Sequence, residues 1–77
     1  MQKLDERILE VFDMLRSNKE IRFYREICEK IDILEQNFSN IRKGKRSFTL
    51  EQIDEIIDIY KVNPNFIFGV SKKIFLE

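Results

Sequence analysis

The residues with the most informative chemistry lie between positions 33 and 46. At 100° per residue, one face of a helix over this segment carries a carboxylate, two amides, a hydroxyl and an ammonium group, those of Glu35, Gln36, Ser39, Asn40 and Lys43. Carboxylate, amide and hydroxyl groups match the donor and acceptor edges that bases present in the DNA major groove. A face that only meets solvent favours Glu and Lys at helical spacing instead. The pattern therefore predicts a helix whose outer face reads bases through Glu35, Gln36, Ser39 and Asn40.

The opposite face of the same helix is mostly apolar, and the segment that follows is basic. One arc contains the side chains that we expect to pack against a core: Leu34, Asn37, Phe38 and Ile41. Gly44 predicts the end of the helix, and positions 42–46 hold four basic residues and no acidic one. We expect Lys43, Lys45 and Arg46 to bind phosphates beside the bases that the helix reads.

Charge is distributed unevenly along a chain whose net charge is zero. The 77 residues include fourteen basic and fourteen acidic ones, a balance that by itself argues against nucleic-acid binding. Positions 51–58 hold four acidic residues and no basic one. Because the distribution of charge matters more than its sum, we expect one basic edge and one acidic helix. The alternative is that both segments are ordinary solvated faces.

The sequence lacks the residue constellations of common enzymes and metal sites. It has no histidine to act as a base or a zinc ligand, and Cys28 is its only cysteine. No glycine-rich loop is present that could hold a nucleotide. Glu51, Asp54 and Asp58 share a helix face, but a calcium site needs ligands from several loop positions. We expect no enzymatic activity, no metal, no cofactor and no small-molecule ligand, and a buried, structural Cys28.

Two helices are predicted before the base-reading segment. The first runs from about position 2 to position 16, because apolar residues recur there at intervals of three and four, and Ser17 and Asn18 supply turn residues that end it. The second covers positions 24–30. We expect Ile21 and Phe23 to pack where the chain enters this second helix.

Two further helices are predicted after the basic segment. The fourth covers positions 50–60 and begins with a capping-box pattern at Thr49 and Gln52. Its inward stripe is expected to contain Leu50, Ile53, Ile56, Ile57 and Tyr60. The fifth is short, since Asn63 followed by Pro64 is typical of a helix start and Gly69 of a helix end.

The run D-I-L-E-Q-N-F-S-N-I-R-K-G-K-R, from Asp32 to Arg46, resembles the second half of the helix-turn-helix in lambda-repressor-like regulators. The family pattern reads roughly Gly-Ile-Ser-Gln-x-x-Ile-Ser-x-Ile-Glu-x-Gly-Lys-Arg, and it is matched without a gap at Ile33, Phe38, Ile41, Gly44, Lys45 and Arg46. The resemblance also includes Glu26, Ile27 and Cys28 and positions 62–69. Asp32 stands where the family usually has glycine, and Arg42 where it commonly has glutamate; an acidic residue tolerates the left-handed backbone that such a turn needs.

The resemblance implies an all-α domain, a compact bundle of five helices in which helices 2 and 3 form the helix-turn-helix. It implies sequence-specific binding to double-stranded DNA by a transcriptional regulator, such as a phage-type repressor or an antitoxin, as a homodimer on a two-fold operator. Further phosphate contacts are expected at Arg22, Tyr24, Arg25 and Arg42. Residues 1–70 would form this domain, and residues 71–77 a tail that helps dimerisation or leads to a second domain.

The end of the chain contains more apolar residues than five short helices can use. Some of them, we expect, lie on an exposed patch that pairs with a second copy. The candidates are Phe66, Phe68, Val70, Ile74 and Phe75. The alternative is that the tail folds back over its own domain and buries them.

A second function is compatible with the same fold, that of a helical protein-interaction module that does not bind DNA. The neutral net charge and the acidic Glu35 favour this function, whereas the basic segment and the amides of Gln36 and Asn40 favour DNA binding. Charges interrupt every apolar run, so no transmembrane segment is expected. The N-terminus, M-Q-K-L-D-E-R, does not have the form of a signal peptide, which predicts a cytoplasmic location.

Overall fold

The computed structural model describes residues 2–76, which form five α-helices. These are α1 (Lys3–Ser17), α2 (Tyr24–Lys30), α3 (Glu35–Arg42), α4 (Leu50–Tyr60) and α5 (Pro64–Ile67). The predicted all-α class with five helices is confirmed, and α2 and α4 have the predicted bounds. The predicted domain (residues 1–70) begins at Met1 and the predicted tail (residues 71–77) ends at Glu77. These two residues lie outside the described residues. Within residues 2–76, no helix has the length and apolar character needed to cross a membrane.

The core is built around Phe12, in the middle of α1. Its ring is buried and stacks on that of Phe38 in α3, with centroids 5.2 Å apart, and lies 5.8 Å from the ring of Phe48, just before α4. The buried face of α1 is completed by Ile8, Val11 and Leu15. Since α3 and the segment before α4 pack on the same ring, α1 positions both of them.

Three apolar residues that the sequence placed inside are exposed: Phe23, Leu34 and Leu50. Phe23 and Leu34 are the N-cap residues of α2 and α3, where the backbone is extended. Helical angles therefore do not apply to Leu34, and its prediction is wrong for that reason. Leu50 is the first residue of α4, at the edge of the stripe around the buried Ile53. Its side chain therefore lies in solvent and does not pack on the core.

Left-handed backbone follows each of the five helices, at Lys19, Asp32, Gly44, Lys61 and Gly69. Asp32, between α2 and α3, has a φ of 57°, as its place in the turn predicts. Gly44 and Gly69 have φ values of 79° and 81°, which glycine adopts without the steric cost of a side chain. Beyond Gly44, the N–H of Lys45 donates to the carbonyl of Asn40 at 2.9 Å. The turn therefore brings the basic segment back against the end of α3.

The predicted starts of α4 and α5 are confirmed by their caps. The N–H of Gln52 donates to Oγ1 of Thr49 at 3.2 Å, and the N–H of Thr49 donates to Oε1 of Gln52 at 2.9 Å. At α5, the N–H of Asn65 donates to Oδ1 of Asn63 at 3.1 Å. Each side chain satisfies a backbone group that a helix end leaves without an intrahelical partner.

The tail folds back over the domain. The N–H of Asn63 donates to the carbonyl of Ile74 at 2.8 Å, and Val62 and Phe75 form an isolated antiparallel bridge. The side chains of Ile74 and Phe75 are half-buried against the core. At Ile74 and Phe75, the tail therefore covers its own domain, as the alternative interpretation of the sequence predicted.

The remaining candidates for an interface with a second copy differ in burial. Phe66 packs inside the core and is therefore not one of the candidates that form an exposed patch. Phe68 and Val70 are 62% and 77% exposed. Of the five candidates, Phe68 and Val70 are therefore the two that are exposed for pairing with a second copy, and such pairing stays a prediction.

Tyr60 has a buried hydroxyl with no hydrogen-bond partner among residues 2–76. Burial is also the main cause that raises the pKa of this side chain above its ordinary value. Because a buried, unpaired hydroxyl destabilises the folded state, we expect Tyr60→Phe to raise the free energy of unfolding by up to about 1 kcal/mol. Urea denaturation measures the change. A loss of stability of about 1 kcal/mol would show that the hydroxyl is hydrogen-bonded in solution.

Candidate nucleic-acid interface

The outer face of α3 carries the side chains predicted to read bases. Glu35 and Gln36, in the first turn, are exposed, whereas Ser39 and Asn40 are half-buried. Gln36 and Asn40 are separated by about 40° around the helix axis, so their amides lie on one side of α3. Gln36 is therefore the more accessible amide of the pair, and Asn40 the more constrained one.

Two buried residues fix the orientation of this face. Phe38 and Ile41 are 7% and 1% exposed, and Phe38 stacks on Phe12. Both lie roughly opposite Gln36 on the helix. Their packing therefore turns the Gln36 side of α3 away from the core.

The basic segment is exposed and lies beside α3. Lys43, Lys45 and Arg46 all reach solvent, and Nη1 of Arg46 donates to Oδ1 of Asn37 at 3.0 Å. The sequence placed Asn37 in the inward arc, and the structure half-buries it and uses its amide to hold this guanidinium group. Since Arg46 has further N–H groups, it can hold this bond and still bind an anion.

Asp5, which the sequence did not single out, is a structural residue beside the candidate interface. It lies on α1, is 1% exposed, and its Oδ1 accepts a hydrogen bond from the N–H of Phe48 at 3.0 Å. This bond ties the chain that leaves the basic segment to α1. The signal was present in the sequence, because Asp5 precedes Ile8 by three positions and Phe12 by seven, on the buried stripe of α1. A carboxylate at such a position requires a partner.

The start of α2 places two predicted phosphate contacts, Arg22 and Arg25, around an acidic residue. Oε2 of Glu26 accepts hydrogen bonds from the N–H of Phe23 at 2.8 Å and from the N–H of Arg22 at 2.5 Å. The pKa of Glu26 lies below its ordinary value. The largest cause is the hydrogen bond from the N–H of Phe23, followed by that from the N–H of Arg22 and then by the positive charges of Arg22 and Arg25. Glu26 stays ionised and offsets positive charge here. The basic segment at 43–46, in contrast, contains no acidic residue.

Tyr24 was also expected to contact phosphate, but its hydroxyl is hydrogen-bonded within the protein. It donates to Oδ1 of Asp13 on α1 at 2.5 Å. The guanidinium carbons of Arg16 and Arg42 lie 5.2 and 5.3 Å from the centre of the ring. Arg42, another predicted phosphate contact, is exposed at the end of α3. Tyr24 thus contacts cations rather than offering a free hydroxyl to an anion.

The described residues offer little for other kinds of chemistry. Cys28 is 2% exposed, and burial, followed by the charge of Glu35, raises the pKa of its thiol to about 11. The thiol therefore stays protonated near neutral pH and is a poor nucleophile. Among residues 2–76, no three His, Cys, Asp or Glu side chains come together in a way that could hold a metal ion.

Comparison of the chain with models of protein families, with curated proteins and with solved structures finds no match. The function of this chain is therefore inferred from the chemistry of its own surface. That surface combines the amides of Gln36 and Asn40 with the neighbouring cations of the basic segment.

Proposed function

We propose that this chain is a sequence-specific, double-stranded DNA-binding domain of the lambda-repressor-like class. In this proposal α2 and α3 form a helix-turn-helix, and α3 lies in the major groove. The observation that carries it is the polar face of α3, which is exposed at Glu35 and Gln36 and lies next to three exposed cations within four positions. Phe38 and Ile41 hold this face outward. A helix face that only meets solvent favours Glu and Lys at helical spacing, rather than amides beside a cluster of cations.

Base reading would come from the first two turns of α3. Gln36 and Asn40 can each make paired hydrogen bonds with the N6 and N7 edge of adenine, and Glu35 can accept a hydrogen bond from the amino group of cytosine. The hydroxyl of Ser39 can donate or accept. Of the two amides, Gln36 contributes more to this specificity than Asn40, because the side chain of Gln36 is exposed and that of Asn40 is half-buried.

Backbone binding would come from the cations around that face. Lys43, Lys45 and Arg46 follow α3 directly, and Arg46 is already held by Asn37. Arg42 adds a charge at the end of the helix, with smaller contributions from the start of α2. Phosphate contacts of this kind fix the register of a protein on the duplex without carrying sequence information.

The biological role that fits this site is transcriptional regulation in the cytoplasm, without catalysis. One such helix reads only a few base pairs, which is too little for specificity in a genome. The active form would therefore be a homodimer on an operator with two-fold symmetry. Phe68 and Val70 are the two exposed members of the five candidates for that pairing.

One observation favours the second candidate function, that of a protein-interaction module. Phe23 and Leu34 are 54% and 71% exposed at the starts of α2 and α3, and exposed apolar groups are typical of protein interfaces. On DNA, however, Leu34 would meet the methyl group of thymine, which is also an apolar contact. Binding to DNA at low salt therefore discriminates between the two functions.

The sequence-specific part of the proposal is tested with Gln36→Ala. Selection from a pool of random duplexes first defines the preferred site. We expect the substitution to weaken binding to that site by about 1–3 kcal/mol and to change binding to random DNA little, because Gln36 contacts base edges and not phosphates. Competition gel shifts measure both affinities.

The matched control is Asn65→Ala, which removes an exposed amide on α5, outside the proposed interface. It should leave both affinities unchanged. Equal losses on selected and random DNA in the Gln36→Ala variant would show that Gln36 does not read bases.

A further inference from the structure

One aromatic ring connects three helices at the edge of the candidate interface. Tyr24 is the first residue of α2, and its ring lies 6.4 Å from that of Phe12 on α1 and 5.9 Å from that of Phe38 on α3. Its hydroxyl donates to Asp13 on α1. The ring is therefore held from α1 and α3 as well as by its own helix.

The same ring places two guanidinium groups. Those of Arg16 and Arg42 lie 5.2 and 5.3 Å from its centre, within the range of about 6 Å in which a cation is attracted to an aromatic face. Arg42 also lies 5.9 Å from the ring centre of Phe38. Arg16 of α1 and Arg42 of α3, which are far apart in the sequence, thus both contact the ring of Tyr24.

The two cations lie next to the groups already assigned to DNA binding. Arg42 lines one surface pocket with Ser39 and Lys43, on the outer face of α3. Arg16 lines another with Lys19 and Arg22, at the connection between α1 and α2. The ring of Tyr24 therefore joins two basic areas of the surface.

We infer that Tyr24 is a positioning residue that holds Arg16 and Arg42 as a pair of cations for the phosphate backbone of DNA. This inference rests on the proposed function and adds Arg16, at the end of α1, to the phosphate-binding residues. A free arginine side chain loses much rotational freedom when it binds. A guanidinium group already held over a ring loses less, so its contact with phosphate is stronger.

Two acidic side chains of α1 and α2, Asp13 and Glu26, already accept hydrogen bonds. The carboxylate of Asp13 accepts the hydroxyl of Tyr24, and that of Glu26 accepts two backbone N–H groups at the start of α2. Glu20, on the connection between the two helices, is exposed. The guanidinium groups of Arg16 and Arg42 contact the ring of Tyr24.

The first experiment measures affinity for a random-sequence duplex, which depends on phosphate contacts. Tyr24→Leu should weaken binding about three- to tenfold, the loss expected from one or two cation–ring contacts, while Tyr24→Phe, which keeps the ring, should stay within about twofold. In a protein that carries Arg16→Gln and Arg42→Gln, adding Tyr24→Leu should change the affinity less than about twofold, because nothing is left to position.

The second experiment does not require Tyr24→Leu to fold. Arg16→Gln alone should reduce the slope of log affinity against log salt by about 0.9, the value for one phosphate contact. A matched control is a second cation–ring contact, in which Lys30, the last residue of α2, lies 5.6 Å from the ring centre of the half-buried Tyr60 on α4. Lys30→Gln and Tyr60→Leu should leave the slope and the affinity unchanged.

Three results would overturn the inference. Equal losses from Tyr24→Leu with and without the two arginines would show a structural role only. An unchanged slope in Arg16→Gln would remove Arg16 from the phosphate contacts. Both results leave DNA binding itself intact, whereas absence of binding by the unaltered protein overturns the proposed function and this inference with it.

Discussion

Phe12→Ala is expected to lower the free energy of unfolding by about 3–5 kcal/mol. The ring of Phe12 is 1% exposed and lies against the rings of Phe38, Phe48 and Tyr24. Its removal leaves a cavity where α1, α2, α3 and the segment before α4 meet. A domain of this length has a total stability of roughly 4–12 kcal/mol, so much of the variant should be unfolded at physiological temperature. Circular dichroism during urea denaturation measures the loss.

Two substitutions bracket this prediction. Phe12→Leu keeps most of the buried volume and should lose clearly less stability than Phe12→Ala. Phe68→Ala removes a phenylalanine that is 62% exposed, and should change stability by no more than about 0.5 kcal/mol. A loss below about 1 kcal/mol in Phe12→Ala would contradict the central place of this ring in the core.

Asp5→Ala is expected to lower the free energy of unfolding by about 2–3 kcal/mol. The carboxylate is buried and accepts the N–H of Phe48, so its removal leaves a buried backbone donor without a partner. Asp5→Asn keeps an acceptor oxygen and should lose less. Hydrogen exchange at the amide of Phe48 reports the bond directly, and it should become faster in Asp5→Ala than in Asp5→Asn.

The consequence for function follows from the position of the bond. It holds the chain just after the basic segment, so Asp5→Ala should also weaken binding to random-sequence DNA at a temperature where the variant is folded. Asp54→Ala, which removes an exposed carboxylate on α4, is the control and should change stability by no more than about 0.5 kcal/mol. Slow exchange at Phe48 in Asp5→Ala would show that the bond does not form in solution.

Local patterns in the sequence were sufficient to predict the helices. The apolar spacing in α1, the capping box at Thr49 and the Asn63–Pro64 pair each depend on residues within one or two turns. The same reasoning failed at Leu34 and Leu50, because the helical period describes residues inside a helix and says little about its first positions.

The contacts that position the candidate interface could not be predicted in this way. The bond between Asp5 and Phe48 joins residues 43 positions apart, and the ring of Tyr24 meets cations from α1 and α3 only after the helices have packed. The sequence predicted which side chains lie on the outward face of α3, but not how deeply each of them is buried. Asn40 is half-buried, and its carbonyl accepts the N–H of Lys45 after the chain turns at Gly44.

The proposal of DNA binding is tested most directly by the salt dependence of affinity for a random-sequence duplex. Fluorescence anisotropy between about 50 and 200 mM salt covers the range in which phosphate contacts are lost. With three to five basic residues on phosphates, the slope of log affinity against log salt should be roughly −3 to −5 per domain, and Lys45→Ala should reduce it by about 0.9. Absence of binding at about 50 mM salt, or an affinity that does not change with salt, would contradict DNA binding by this domain.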